Sequence, residues 1–378
     1  LQEDPSGPLP FHCEHEERIV ANEVTAVPAL NQALLPFFET ADTIRRAQGE
    51  FLGLLGFGPE EADYRVVASG PFWRLRHYSG RGRGPSVLIV AAPIKQPYIW
   101  DLSPSVSSVR YCLSKGLRVH LLEWMPPSRG SEARGLAEYA DDAISRAVAL
   151  VSQEVRAGKP FLLGHSLGGT LAAIFAGLHP DQVSGLVLVS APLCLHPGVS
   201  PFRDAVAAMA SPWLSEADVI PGSLLTQVSA AMSPATFVWS RFLDAAASAG
   251  DSGASELRAR IERWALDEVP LSGKLARQVL LQLYCENRLC NGTLTIHGRI
   301  IKPSCLTIPI LAVVNTADEV APPASVSPFL EAMAGADAQL IRYPGETGIV
   351  LQHLGVLVGP TAFMELWPEI TDWIKGHG

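Results

Sequence analysis

A serine flanked by glycines, between an apolar stretch and a run of small residues, constrains the fold of this chain most strongly. Residues 164–168 read Gly-His-Ser-Leu-Gly; the apolar Phe161–Leu163 precedes them and a helix-like segment, Thr170–Leu178, follows. At a sharp turn from strand to helix, side chains two residues either side of the central residue would collide, so glycine is a steric requirement there. The pattern predicts a strand, a strained turn at Ser166 and a helix, the arrangement called a nucleophile elbow.

Strand-like and helix-like segments alternate around this turn. Continuous apolar runs are typical of parallel strands buried on both faces, and their alternation with helices predicts βαβ units. We therefore expect an α/β fold of the α/β-hydrolase type, with a mostly parallel central sheet flanked by helices. The predicted strands are Tyr64–Ala68, Trp73–Tyr78, Ser86–Ala91, Arg118–Glu123, Phe161–Leu163, Gly185–Ser190 and Ile310–Asn315, and the predicted helices include Val106–Lys115, Leu136–Val155 and Thr170–Leu178.

One long interval breaks the alternation. Residues 193–305 contain many prolines, scattered tryptophans and helix-like pieces, without a run that resembles a central strand. We interpret residues 193–305 as a mainly helical cap inserted into a core of residues 64–192 and 306–378. Residues 1–63 are interpreted as an N-terminal extension, partly flexible and partly helical. The alternative for the inserted part is an extra helical domain with no role at the site.

A serine hydroxyl is a weak nucleophile near neutral pH and needs an adjacent base that an acid orients. In α/β-hydrolases the order along the chain is serine, acid, histidine. Asp318 follows the strand Ile310–Asn315, at the sheet edge where open α/β sheets place their sites, and Glu319 is its rival. The histidines after Asp318 are His353 and the penultimate residue His377. Because a chain terminus is prone to fray, we predict a triad of Ser166, Asp318 and His353.

An acyl-transfer site also needs N–H groups that bind the oxyanion of the tetrahedral intermediate. Leu167, at the start of the helix after Ser166, is the expected first donor. The second should lie in the loop after the strand Ser86–Ala91, where Pro93 has no N–H, so we predict Ile94. Adjacent side chains diverge at a sharp turn, so His165 is assigned to packing and not to proton transfer.

Composition limits the partners and cofactors. The formal charge is -9 and no basic run is present, which argues against a nucleic-acid partner. Apolar stretches are shorter than the roughly 20 residues of a membrane-spanning helix, so no transmembrane segment is expected. The 6 cysteines form no CxxC pair and no metal-ligand spacing, so we expect them to be reduced and mostly structural, with no metal or other cofactor. The cytoplasm is the favoured location.

Further motifs lie beyond the serine turn, in the segments Lys95–Leu102, Leu121–Trp124, Tyr284–Leu294, Asp318–Ser325 and His353–Val356. These segments are similar to motifs of a known family, the polyhydroxyalkanoate synthases, bacterial polymerases of 3-hydroxyacyl-coenzyme A with a lipase-like fold. The resemblance covers roughly residues 64–375, in the same order along the chain. It implies a catalytic role for Asp318 and His353 and the use of an acyl thioester.

Two positions depart from that family. Its nucleophile is a cysteine where this chain has Ser166, and a glycine precedes its histidine where this chain has Gln352. A cysteine thiol ionises more readily than a serine hydroxyl and holds the acyl group as an activated thioester. A serine oxyester is less activated, which favours one-step acyl transfer or hydrolysis over processive polymerisation.

Three functions are therefore compared. The first is a synthase-like acyltransferase that takes an acyl group from coenzyme A or a carrier protein onto Ser166 and passes it to a hydroxyl or amine. The second is a serine hydrolase, such as an esterase, a thioesterase or a polyester depolymerase, in which water is the acceptor. The third, a catalytically silent scaffold, would be favoured by loss of a triad residue. A homodimer is compatible with the resemblance.

Overall fold

The computed structural model describes residues 35–127, 133–154, 158–208, 219–232, 250–333, 337–346 and 352–378. Its centre is an 8-stranded sheet with the order β1-β2-β4-β3-β5-β6-β7-β8. β1 pairs antiparallel with β2 and β2 antiparallel with β4, and every other neighbouring pair is parallel. The strands are β1 (Tyr64–Ser69), β2 (Trp73–Tyr78), β3 (Ser86–Val90), β4 (Arg118–Trp124), β5 (Phe161–His165), β6 (Gly185–Val189), β7 (Ile310–Asn315) and β8 (Ala338–Tyr343).

Helices cover the faces of the sheet and make up much of the chain between β6 and β7. The described helices are α1 (residues 35–52), α2 (Ser108–Ser114), α3 (Ile144–Glu154), α4 (Leu167–Leu178), α5 (Pro201–Ala208), α6 (Gly222–Met232), α7 (Ser252–Leu266), α8 (Gly273–Gln278), α9 (Ser327–Glu331), α10 (Gln352–Val358) and α11 (Trp367–Gly376). Wider π-helical turns adjoin four of them, at Gly53–Phe57, Glu138–Ala143, Val279–Cys285 and Ala362–Leu366. Short 3₁₀ turns lie at Pro97–Trp100, Pro180–Gln182, Pro303–Cys305 and Pro323–Ser325.

The central strands explain why the sheet is parallel and covered on both faces. Every residue of β3, β5, β6 and β7 is buried, so both faces of these strands need a layer of helices. The predicted α/β-hydrolase fold with a mostly parallel sheet is confirmed. The carboxyl ends of β3, β5 and β7 lie along one edge of the sheet, and the loops after these strands carry Ile94, Ser166 and Asp318.

The part of the chain between β6 and β7 contributes no strand to the central sheet within its described residues. It contains α5 to α8 and the small strand pairs Val219–Ile220 with Leu271–Ser272 and Leu294–Ile296 with Arg299–Ile301. We call residues 193–305 the insertion. Its treatment as a separate cap stays an interpretation.

Polar side chains of helix α1 form hydrogen bonds and an ion pair with the insertion. The Asp42 carboxylate accepts hydrogen bonds from the N–H groups of Gly222 (3.1 Å) and Ser223 (2.7 Å), at the start of α6. Arg45 forms an ion pair of 2.8 Å with the buried Glu268. Glu268 also accepts from Lys95 (2.7 Å), so one carboxylate joins α1, the insertion and the loop after β3. No helix of the described residues is long and apolar enough to cross a bilayer.

The expectation that the cysteines are all reduced is wrong for one pair. Cys194 and Cys290 form a disulfide across a separation of 96 residues, near the two ends of the insertion. The pairing depends on tertiary contacts: the Leu195 N–H donates to Asn287 Oδ1 at 2.7 Å and brings the two segments together. Spacing along the sequence therefore gave no sign of it. Cys112, Cys285 and Cys305 are free thiols, and Cys13 lies outside the described residues.

Removal of the disulfide should destabilise the protein. Closing a long loop restricts the unfolded chain, so Cys290→Ser is expected to lower the free energy of unfolding by about 2–4 kcal/mol. The measurement is urea unfolding with and without a thiol reductant. The free thiol of Cys305 offers a matched control, and Cys305→Ser should leave the response to reductant unchanged. Equal midpoints for the oxidised and reduced wild type would contradict this expectation.

Candidate active site

The serine turn joins β5 to α4. Ser166 stands at the N-cap of α4 with φ 53° and ψ -134°, a conformation that is strained for a residue with a side chain. The Ser166 N–H donates to Val189 O at 3.1 Å, and its carbonyl accepts from Thr170 N at 3.1 Å. The strand, strained turn and helix predicted from the sequence are all present.

Glycine at position 164 is required by close contact between the two arms of the turn. A Cβ placed on Gly164 would lie 2.5 Å from Gly169 Cα and 2.6 Å from Gly169 N. A Cβ on Gly169 would in turn lie 2.5 Å from the Ala191 side chain. Both clashes involve atoms of the backbone or of a rigid methyl group, so relief requires the turn itself to move.

Gly164→Ala is therefore expected to displace Ser166. We expect activity to fall at least tenfold and the free energy of unfolding to fall by about 1–3 kcal/mol, the usual cost of an added methyl group in a packed interior. Activity and chemical unfolding measure the two effects. Gly58→Ala is the matched control, because a Cβ there meets only Gly53 Cα at 3.8 Å. An unaltered rate for Gly164→Ala would mean that the turn is less closely packed than the structure shows.

The structure places His353 against Asp318. His353 is the second residue of α10, and its Nδ1 lies 2.7 Å from Asp318 Oδ2. Asp318 Oδ1 accepts from the N–H groups of Val320 (2.8 Å) and Ala321 (3.1 Å). Asp318 is 2% exposed, whereas the rival Glu319 is exposed. The Nδ1–H of His353 therefore donates to the carboxylate, which leaves Nε2 as the proton acceptor.

The charge state of Asp318 follows from its contacts. Burial raises the pKa of a carboxyl group, but the imidazole of His353 and the two backbone donors outweigh this effect. The pKa of Asp318 consequently lies below its ordinary value, and the group is a carboxylate at neutral pH. His377 is placed elsewhere, with its Nε2 3.2 Å from Asp337 Oδ2.

A cavity of about 350 Å³ brings the other predicted residues together. Ser166, Leu167, Ile94 and His353 all contribute to its wall. The core supplies these residues, and the insertion supplies mostly apolar side chains, among them Leu195, Phe202, Ile220, Leu224, Leu271 and Leu283. Such a wall favours an aliphatic substrate group next to the serine.

Two polar residues that form hydrogen bonds around His353, Asn315 and Gln352, were not predicted from the sequence as part of the site. Asn315, at the end of β7, donates from Nδ2 to the carbonyl of Gln352 at 2.7 Å and accepts at Oδ1 from the Ala317 N–H at 2.9 Å. The Gln352 side chain accepts from Glu346 N at 2.9 Å and donates to Glu346 O at 2.8 Å. These bonds tie the acid loop to the segment that carries the histidine. Asn315 could have been recognised in the sequence as a polar residue at the end of an otherwise apolar strand.

The described group of side chains that could bind a metal ion lies outside the wall of the cavity. Among the described residues, one group of side chains, Asp141, Asp142 and His297, has atoms close enough to hold an ion. Asp142 and His297 are exposed, and Asp141 Oδ1 is 2.7 Å from His179 Nε2. None of the three contributes to the cavity wall.

Sequence comparison agrees with this architecture. A family model described as alpha/beta hydrolase fold matches residues 101–344. The chain therefore belongs to the α/β-hydrolase family, and the expectation of an enzyme of this fold is confirmed. A soluble variant of monoglyceride lipase from Saccharomyces cerevisiae superposes with a TM-score of 0.57 at 16% identity, over 84% of this chain and 95% of the lipase. That likeness concerns the fold.

Among characterised proteins, the chain is similar to those named poly(3-hydroxyalkanoate) polymerase subunit PhaC. The one from Haloferax mediterranei is 28% identical over 79% of this chain, and the one from Synechocystis is 28% identical over 85% of it. The chain spans 61% of the length of the Haloferax protein and 85% of that of the Synechocystis protein. The resemblance described from motifs thus extends over most of the chain.

Proposed function

We propose that this protein transfers an acyl group from a thioester through a covalent intermediate on Ser166. The observation that carries the proposal is the strained Ser166 in the wall of a cavity that it shares with His353, whose Nδ1 lies 2.7 Å from the carboxylate of Asp318. This arrangement supplies the three roles of a nucleophile, a base and a group that orients the base.

In the first step, Nε2 of His353 removes the hydroxyl proton of Ser166 as the oxygen attacks the thioester carbonyl. Asp318 stabilises the imidazolium that forms, because its carboxylate stays ionised against His353 Nδ1. The carbon–sulfur bond then breaks, and His353 returns its proton to the leaving thiol. An oxyester on Ser166 and a free thiol are the products of this step.

In the second step, His353 removes a proton from the acceptor hydroxyl or amine as the acceptor attacks the carbonyl carbon of the Ser166 ester. The bond from that carbon to Ser166 Oγ then breaks, and His353 returns the proton to Oγ, which restores the serine. The oxyanion of each step is stabilised by N–H donors that do not reorganise. We assign this role to the N–H of Leu167, in the first turn of α4 where the helix itself supplies no acceptor, and to that of Ile94. Both residues line the cavity.

The similarity to poly(3-hydroxyalkanoate) polymerases supports a 3-hydroxyacyl thioester as the donor, with coenzyme A or a carrier protein as the leaving thiol. The apolar wall from the insertion supports the same choice, since it suits an aliphatic acyl chain. Coenzyme A is thus a substrate in this proposal, and no metal or other cofactor takes part in the steps.

Ser166 itself favours a second candidate, a serine hydrolase. Cysteine gives an intermediate as activated as the incoming thioester, whereas a serine oxyester retains less free energy for each further transfer. Transfer to one acceptor or to water is therefore easier to sustain than a long series of additions. The two candidates share every residue above and differ in whether water reaches the ester.

The test is incubation of the purified protein with 3-hydroxybutyryl- and 3-hydroxydecanoyl-coenzyme A, with and without an alcohol or amine acceptor. Intact-protein mass and released products are followed together. A Ser166 adduct that passes to the acceptor, or to a second hydroxyacyl unit, supports the transferase. Free hydroxy acid as the sole acyl product supports the hydrolase. Absence of both adduct and turnover would contradict acyl chemistry on these donors and favour the silent scaffold.

A further inference from the structure

His165 makes a contact that the proposed mechanism does not use. It precedes Ser166 at the end of β5, and its Nε2 lies 2.7 Å from the backbone carbonyl oxygen of His353. A carbonyl oxygen accepts hydrogen bonds only, so Nε2 carries the proton and donates. A single side chain therefore connects the turn that holds the nucleophile to the main chain of the base.

The surroundings of this imidazole keep it neutral. His165 is 6% exposed, and its ring centroid lies 4.6 Å from that of His353 and 6.5 Å from that of Trp100. Burial first, and then the positive charge that His353 can carry, lower the pKa of His165 to about 3, against weaker opposing effects of the hydrogen bond to the His353 carbonyl and of Asp318. A neutral ring retains its donor without placing a second positive charge beside the base.

Hydrogen bonds fix the main chain around His353 as well as its imidazole ring. Asp318 orients the imidazole of His353 at Nδ1 (2.7 Å). Asn315 holds the carbonyl of the preceding residue at 2.7 Å. A further anchor among the described residues is the His165 bond to the carbonyl of His353, and it comes from the nucleophile's own turn.

We infer that His165 is a positioning residue, which sets the distance between Ser166 and His353 through its hydrogen bond to the backbone carbonyl of His353. The inference rests on the proposed function, since it concerns the approach of the base to the nucleophile. His165 also lines the cavity, but a shift of the base by a fraction of an ångström weakens proton removal more than it weakens substrate binding. Loss of the bond should therefore lower kcat more than it changes KM.

Two substitutions separate this role from packing. His165→Gln keeps an N–H donor at about the reach of Nε2, whereas His165→Leu keeps apolar bulk and removes the donor. We expect the leucine variant to react with a fluorophosphonate probe, and to turn over an ester substrate, about ten- to thirtyfold more slowly. KM should change less than threefold. The glutamine variant should recover most of the lost rate.

The outcomes distinguish this inference from the proposed function. Labelling of the wild type that is absent in Ser166→Ala supports the nucleophile regardless of His165. If the wild type is labelled and His165→Leu reacts at the same rate, or if His165→Gln is no faster than His165→Leu, the positioning role is overturned and the nucleophile stands. A wild type that the probe does not label would overturn both.

A measurement independent of activity tests the hydrogen bond itself. In ¹⁵N-histidine-labelled protein at pH 5, we expect the wild type to give the signals of a neutral ring protonated at Nε2 that His165→Gln lacks, besides any neutral ring of the hydrogen-bonded pair His77 and His120. A free imidazole has a pKa of about 6.5, so a histidine with an unperturbed pKa is mostly charged at this pH. A fully charged set of imidazoles in the wild type would contradict the bond.

Discussion

Replacing Ser166 with alanine is expected to lower turnover of an acyl thioester roughly 10⁴-fold or more, because a triad without its nucleophile retains only the binding and oxyanion contributions. The half-buried serine packs at the N-cap of α4, and alanine leaves the surrounding atoms in place. The unfolding midpoint should therefore stay within a few degrees of the wild type. Steady-state rates and thermal unfolding are the measurements.

Ser184→Ala provides the matched control. Its hydroxyl donates to Lys159 O at 2.8 Å, just before β6, and it does not line the cavity. The control should keep nearly full activity. A Ser166→Ala variant that retains more than a few per cent of the wild-type rate would exclude the serine mechanism.

Asp318→Asn is expected to lower turnover roughly 10⁴-fold, by reversing the tautomer of His353. Asp318 Oδ1 accepts from two backbone N–H groups, of Val320 and Ala321, so the oxygen of an asparagine would occupy that position. Its NH₂ group would then face His353 Nδ1, which has to accept, and the ring proton would move to Nε2. In that state Nε2 cannot remove the proton of Ser166.

Glu319→Gln is the matched control, because it removes the neighbouring charge of the same loop. Glu319 is exposed, so removal of its charge should change turnover less than threefold. Measurement of kcat and KM for both variants decides between the two acids. Similar losses in Asp318→Asn and Glu319→Gln would mean that the loss follows from a changed loop and not from the contact between Asp318 and His353. That result would contradict the predicted triad.

The serine turn and the strands were predictable because their causes are local. Two close glycine contacts dictate the sequence around Ser166, and strands buried on both faces dictate the apolar runs of β3, β6 and β7. The positions of Asp318 and His353 followed from chain order and from the edge of the sheet at which parallel strands end. The contact between His353 and Asp318 agrees with that reasoning, while the catalytic roles stay predictions.

Contacts between residues that are far apart in the sequence could not be predicted from local patterns. The Cys194–Cys290 disulfide spans 96 residues, and the bond from His165 to His353 joins residues 188 positions apart. Side-chain divergence at the turn assigned His165 to packing but did not show what its ring contacts. The homodimer and the cytoplasmic location, which came from the resemblance and the composition, stay predictions.

Glu268 joins the insertion to the loop that carries the proposed oxyanion donor Ile94. Its carboxylate accepts from Arg45 of α1, from Lys95 and from Thr226 of the insertion. Lys95 directly follows Ile94, so the ion pair between Lys95 and Glu268 also fixes the chain at the proposed oxyanion donor. A substitution of Glu268 would therefore disturb that donor while Ser166, Asp318 and His353 keep their own side chains.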